Sequence, residues 1–337
     1  MIYFPVPESP VPESRSPIFL MEQSPSSPTP SAPTSGMLGW RLAVSCLLIP
    51  ALIGLFALDV KLGDRAPLFL LFCLLLALRG TWELVELLRV RTLRPNFMLV
   101  VPLVVTIVLA PWSLRFSADI YLHERLSFAE SLASICFTFT CGVLLLFLFE
   151  ALRFEAPGIS VENLGAHLLV ITYTGLLLAV TAQLRWVRAP GIGDEPPGPA
   201  GYYALGALIV AVKCGDIGAY TFGRLFGKRK MSPKLSPGKT WMGAVGALLF
   251  ATLAAWFWLS TMAVPLGYGR VPRIGWCLSF GLAMGAVGLI GDLCESLIKR
   301  DTGHKDAAAL FPGFGGLLDM LDSILYAGPI AVLLWRF

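Results

Sequence analysis

Charge is scarce in this chain: only 14% of its 337 residues are Asp, Glu, Lys or Arg, while 56% are hydrophobic and the mean hydropathy is +0.72. Soluble globular domains carry about a quarter charged residues, so the composition indicates an integral membrane protein. Histidine is equally sparse. His123, His167 and His304 are dispersed, and only His304 lies near other polar candidates. Seven cysteines (Cys46, Cys73, Cys136, Cys141, Cys214, Cys277 and Cys294) sit singly inside apolar runs without CxxC spacing. That spacing indicates neither a disulfide framework nor a zinc site and leaves them as small buried hydrophobes. The net charge of +4 is spread over loops, so there is no basic footprint for nucleic acid, and no DNA or RNA partner is expected.

Residues 1–36 contain PVPESPVPES and SPSSPTPSAPTSG, a Pro/Ser-rich tract that cannot bury apolar area and is expected to be a disordered tail. The remainder, 37–337, reads as a single transmembrane domain. A bilayer core of about 30 Å asks for about 20 apolar residues per helix. On that template an all-α polytopic membrane protein with about nine spans is expected: 38–58, 66–88, 97–111, 128–149, 164–184, 202–222, 241–262, 274–298 and 322–336.

Lysine and arginine in the loops set the orientation. With the N-terminus cytoplasmic, sixteen of the 26 basic residues fall on the cytoplasmic side and nine on the other, with Lys213 inside a span. The C-terminus then lies on the opposite side, and loops 223–240 and 299–321 both face the cytoplasm. A multi-pass cell-membrane protein with its site on that face is expected. Residues 38–190 carry little intramembrane charge and read as scaffold, whose roles, a homodimer interface among them, the sequence leaves open. Residues 202–337 carry the chemistry.

An ionisable side chain at bilayer depth costs roughly 2.5–3.5 kcal/mol even on lenient insertion scales, so charges in the last spans are expected to line a polar cavity. Asp292, Glu295, Ser296 and Lys299 fall at i, i+3, i+4 and i+7 and share one helical face. Past that helix come Arg300, Lys305 and Asp306, then the glycine-rich Pro312–Gly316 run with Gly315 and Gly316, then Asp319 and Asp322 three apart. Carboxylates together with basic side chains suit Mg²⁺ and phosphate, because magnesium prefers oxygen ligands and binds through a few carboxylates, waters and substrate phosphates. Upstream, Ser236-Pro-Gly-Lys239-Thr240 offers hydroxyls, a lysine and a helix N-terminus for an anion. It is not a Walker A motif, which needs a strand and a soluble α/β unit.

These residues carry a resemblance. SxxKRxxxxKD followed by PGxGGxxDxxD, here Ser296, Lys299, Arg300, Lys305, Asp306, Pro312, Gly313, Gly315, Gly316, Asp319 and Asp322, resembles the signature of the phosphatidate cytidylyltransferases, also called CDP-diglyceride synthases. The segments with Gly215, Asp216, Gly218–Tyr220, Gly223, Arg224, Phe226–Lys228 and Ser236–Trp241 are similar to the same family. The likeness covers residues 213–323. Three positions depart from it: Phe314 stands where the family has histidine, Met320 where it has arginine, and Met242 where it has glutamate.

The resemblance implies transfer of a cytidylyl group from CTP to phosphatidic acid at the bilayer surface, giving CDP-diacylglycerol and pyrophosphate in phospholipid biosynthesis. It implies one or two divalent ions, Mg²⁺ foremost, on Asp292, Asp319 and Asp322, with Asp216 as a fourth candidate. Lys239, Lys299, Arg300 and Lys305 would contact phosphates, assisted by Ser236 and Thr240. Two other readings stay open: a CTP-dependent polyprenol or dolichol-type lipid kinase, and an ion-coupled transporter, for which the halves show no internal repeat.

Overall fold

A computed structural model describes residues 35–89, 93, 95–117, 127–187, 199–303 and 315–336. Nine continuous helices account for nearly all of them: α1 (Ser35–Lys61), α2 (Pro67–Leu88), α3 (Phe97–Ser117), α4 (Phe128–Leu152), α5 (Ser160–Trp186), α6 (Ala200–Phe226), α7 (Trp241–Thr261), α8 (Ile274–Asp301) and α9 (Leu317–Arg336). All but α1 are long and apolar enough, within the described residues, to cross a membrane. The helices coincide with the nine expected spans, and α3 and α9 extend beyond the short stretches that hydropathy picked out. One departure from an all-helical chain is a short antiparallel ribbon, β1 (Lys230–Ser232) and β2 (Ser236–Thr240). Proline at 233 suits the tight turn between its strands.

Helix ends are fixed by side chains that sequence spacing partly reveals. Ser127 and Glu130 form a reciprocal capping box at the start of α4: the Ser127 N–H donates to Glu130 Oε2 at 2.7 Å, and the Glu130 N–H to Ser127 Oγ at 3.1 Å. At the start of α2, Asp59 of α1 accepts from the N–H groups of Leu68 and Phe69, both at 3.0 Å. Asp59 is fully buried and also accepts from Tyr202 Oη at 2.6 Å, with Arg185 3.6 Å away, so α1, α2, α5 and α6 are tied together by one polar knot.

Burial differs sharply among the helices. In α4 only 17% of the apolar stretch is buried, and Phe137, Leu144 and Leu145 are exposed, as expected of a lipid-facing surface. In α5 the figure is 61%, which makes it the central helix. The C-terminal helices pack in chain order, α6 on α7, α7 on α8 and α8 on α9. Small residues permit the approach, as expected where lipid supplies no hydrophobic drive between helices. A Cβ on Gly218 of α6 would strike the carbonyl of Gly246 in α7, and one on Gly246 would strike the carbonyl of Gly218.

Candidate active site

Four elements meet at one end of the bundle: α6, the β-ribbon, the C-terminal half of α8 and the N-terminal turns of α9. Gly291 sets the distance between the last two. A Cβ there would lie 2.7 Å from Tyr326 Cβ and 3.1 Å from Asp322 O, so only glycine lets α8 approach α9 so closely. The next residue, Asp292, is thereby brought to Asp322. Asp292, Glu295 and Asp322 form the one group of three metal-capable side chains among the described residues, with carboxylate oxygens within 4.8 Å of one another.

At that separation two carboxylates repel by roughly 3–4 kcal/mol at an effective dielectric of 20, so the trio requires compensating charge. Lysines supply part of it. Lys239 of β2 reaches across to Asp292, Nζ–Oδ2 2.9 Å. Lys299 lies 2.9 Å from Glu295 Oε1 on its own helix and pairs with Asp319 of α9. On α6, Lys213 pairs with Asp216 at 2.9 Å, and Asp216 is within electrostatic reach of Asp292 and Lys239. Five carboxylates (Asp216, Asp292, Glu295, Asp319 and Asp322) thus face three lysines (Lys213, Lys239 and Lys299). The surplus of negative charge, all on oxygen donors, fits a hard divalent cation such as Mg²⁺.

The remaining residues singled out from sequence fall around this core. Asp319 accepts from the Gly316 N–H at 3.0 Å and so caps α9 while pairing with Lys299. Gly315 has φ +82°, a left-handed conformation that glycine adopts freely, and a Cβ there would collide with the Asp319 carboxylate. Thr240 is buried and caps α7, its Oγ1 accepting from the Gly243 N–H at 3.0 Å. Ser296 Oγ donates to the Asp292 carbonyl at 2.8 Å within α8. Arg300, exposed at the rim, donates from Nε to the Leu235 carbonyl at 3.3 Å and ties α8 to the turn of the ribbon that carries Ser236 and Lys239. Lys305 and Asp306, with Phe314, lie outside the described residues. Of the other two departures, Met242 stands half-exposed on the first turn of α7, and Met320 lines an apolar cavity.

That cavity, about 450 Å³, runs between α1, α2, α5, α6 and α9. Its walls are apolar except for Thr181 and Lys213. Lys213 is within electrostatic reach of Asp322, so the cavity adjoins the carboxylate group.

One contributor escaped the sequence reading. Glu83, buried in α2, accepts from the N–H groups of Leu317 and Leu318, both at 3.0 Å, and pairs with Arg79 at 2.9 Å. It caps α9 from the half of the chain read as scaffold. The signal present in sequence was an Arg79/Glu83 pair at i, i+4 near the end of an apolar span.

Over 128 residues the chain is 43% identical to the phosphatidate cytidylyltransferase of Mycobacterium leprae (strain TN), covering 38% of this chain and 38% of that protein. It is 40% identical over 129 residues to the protein of the same name from Haemophilus influenzae, covering 38% and 44%. With that of Brucella suis it is 41% identical over 145 residues, covering 43% and 49%. The chain therefore matches less than half the length of each of these three relatives. The sequence model of the Cytidylyltransferase family, by contrast, matches residues 40–337, nearly every described residue, and the chain belongs to that family.

Proposed function

We propose that the chain is a CTP:phosphatidate cytidylyltransferase of the cell membrane, with residues 202–337 carrying most of its chemistry. The observation that carries this reading is the carboxylate trio of Asp292, Glu295 and Asp322, paired with lysines from two elements and set beside an apolar cavity. Relatives named phosphatidate cytidylyltransferase support it.

In the proposed reaction an oxygen of the lipid phosphate attacks the α-phosphorus of CTP. The bond to the β-phosphate oxygen breaks, and pyrophosphate leaves. A phosphomonoester has a second pKa near 6, so the lipid phosphate is largely a dianion at neutral pH and needs no strong base. The proposed mechanism accordingly requires no catalytic histidine. Its task is to hold two anions together, align them, and stabilise charge on the leaving group. Lys239, Lys299 and Arg300 serve phosphate oxygens, with Ser236 assisting, and Lys305 is assigned the same role from the sequence pattern. Asp319 and Gly315 hold the loop before α9 in register. A magnesium ion on Asp292, Glu295 and Asp322 would neutralise phosphate charge and favour departure of pyrophosphate.

The apolar cavity would take acyl chain, leaving the headgroup at the carboxylate end. The excess of basic residues on the ribbon side argues that this end faces the cytoplasm, where CTP is available. Purified protein in detergent with CTP, phosphatidic acid and Mg²⁺ is expected to release pyrophosphate. Formation of CDP together with a newly phosphorylated lipid alcohol would instead establish a lipid kinase.

A further inference from the structure

The mechanism above gives no task to Lys213, a cation within the apolar helix α6. Ionisable side chains at bilayer depth are costly and are kept where they meet a partner or a substrate. Several contacts fix its position. Lys213 lines the apolar cavity together with Leu317, Met320 and Leu321 of α9. Its Nζ lies 2.9 Å from Asp216 Oδ2, one turn further along α6. A Cβ on Gly288 of α8 would lie 3.5 Å from Val212 Cγ1 and 3.8 Å from Ser323 Cβ, so α6 and α9 converge at this level. The chain neighbours of those two residues are Lys213 and Asp322. Lys213 therefore stands where the cavity meets the carboxylate group.

Lysine lays its methylene stem along apolar surface and keeps its ammonium at the polar end. The ammonium has three N–H donors, and Asp216 is its one hydrogen-bond partner among the described residues. The side chain is 38% exposed, so the remaining donors are open to a ligand that enters the cavity. Residue 320, on the same lining, is methionine where the family has arginine. An arginine there would bring a cation to this cavity from α9. Lys213 brings one from α6.

We infer that Lys213 binds the phosphate of phosphatidic acid, donating from Nζ to a phosphate oxygen that does not attack, and so supplies from α6 the positive charge that residue 320 lacks. The inference rests on the phosphatidate cytidylyltransferase reading above and deepens it. The triphosphate of CTP offers the same chemistry, but Lys239 and Arg300 stand at the ribbon, whereas Lys213 lines the wall assigned to acyl chain. The lipid phosphate is the anion that an acyl chain in this cavity delivers to it.

The test follows pyrophosphate release by Lys213→Met, which removes the ammonium and keeps most of the stem. Asp216, 41% exposed at its side chain, is left to water, so the melting temperature in detergent is expected to hold. At saturating CTP and Mg²⁺ the variant is expected to lose about 10- to 100-fold in kcat/KM for phosphatidic acid, the effect of one charge-assisted hydrogen bond. KM for CTP should stay at its wild-type value. The loss should be equal for long-chain and dihexanoyl substrates, because the contact is to the headgroup. Lys213→Arg should keep most of the activity, and adding Met320→Arg to Lys213→Met should recover part of the loss. Unchanged kcat/KM in Lys213→Met, an equal rise in KM for CTP, a loss confined to long-chain substrate, or a loss that follows a lowered melting temperature overturns the inference. So does a double variant that melts like wild type and recovers nothing. A wild-type protein that releases no pyrophosphate overturns the functional reading itself, and this inference with it.

Discussion

Glu83 and Leu317 lie 234 positions apart in the chain, yet the Glu83 carboxylate accepts the Leu317 N–H at 3.0 Å and that of Leu318 at the same distance. A buried carboxylate at a helix N-terminus satisfies orphan N–H groups and meets the positive end of the helix dipole. Here it anchors the helix that carries Asp319 and Asp322. Substituting Glu83→Ala removes both acceptors and leaves Arg79 without its carboxylate. A loss of about 2–4 kcal/mol is expected, read as a lowered melting temperature in detergent, with turnover falling in parallel. Glu83→Gln keeps one acceptor and should fall between.

The two lysine pairs of the site predict opposite kinds of damage. Asp292 is 40% exposed at its side chain, so Lys239→Ala leaves a carboxylate that water can solvate. Stability should change by no more than about 1 kcal/mol, while turnover drops about 10- to 100-fold through loss of the proposed phosphate contact. Lys299 is different. It stands between Glu295 and Asp319, whose side chains are 9% and 14% exposed, and its removal leaves two poorly solvated carboxylates facing each other. Lys299→Ala should lose folded yield as well as activity, checked by size-exclusion profile and melting temperature together.

Gly315 tests the loop before α9. Gly315→Ala forces an L-residue to φ +82° and drives its Cβ into the Asp319 carboxylate. A cost of about 1–3 kcal/mol is expected, with activity reduced further because Asp319 must leave either Lys299 or the Gly316 N–H. Gly238→Ala, at a position where an added Cβ meets only open space, is the control and should be silent in a melting assay.

Much of the architecture was legible in the sequence, and the reason is geometric. A bilayer of fixed thickness turns hydropathy into helix boundaries, so the expected span 66–88 and the observed α2 at Pro67–Leu88 agree to a residue. The polar stripe of α8 was legible because side chains at i, i+3, i+4 and i+7 share a face wherever the helix sits. Three things were not. The β-ribbon hid in a basic stretch too short for alternation to register. Glu295 read as part of a stripe, because its grouping with Asp322 depends on how closely Gly291 lets α8 meet α9. Glu83 was passed over inside the segment read as scaffold, since nothing local names a partner more than two hundred residues away.

The apolar cavity makes its own prediction. Ala51, exposed on α1, lines it. Ala51→Trp narrows the cavity without touching the carboxylates, so KM for long-chain phosphatidic acid should rise several-fold, with KM for CTP unchanged. A dihexanoyl substrate should be indifferent to the substitution.

The central claim is that the carboxylate group on α8 and α9 serves cytidylyl transfer. Phosphorus NMR of wild type and Asp322→Asn, each given CTP, phosphatidic acid and Mg²⁺, tests it most directly. The account predicts pyrophosphate and a lipid-linked diphosphate with wild type, and neither with the variant at unchanged melting temperature. Equal product from both proteins, or CDP in place of pyrophosphate, would contradict it.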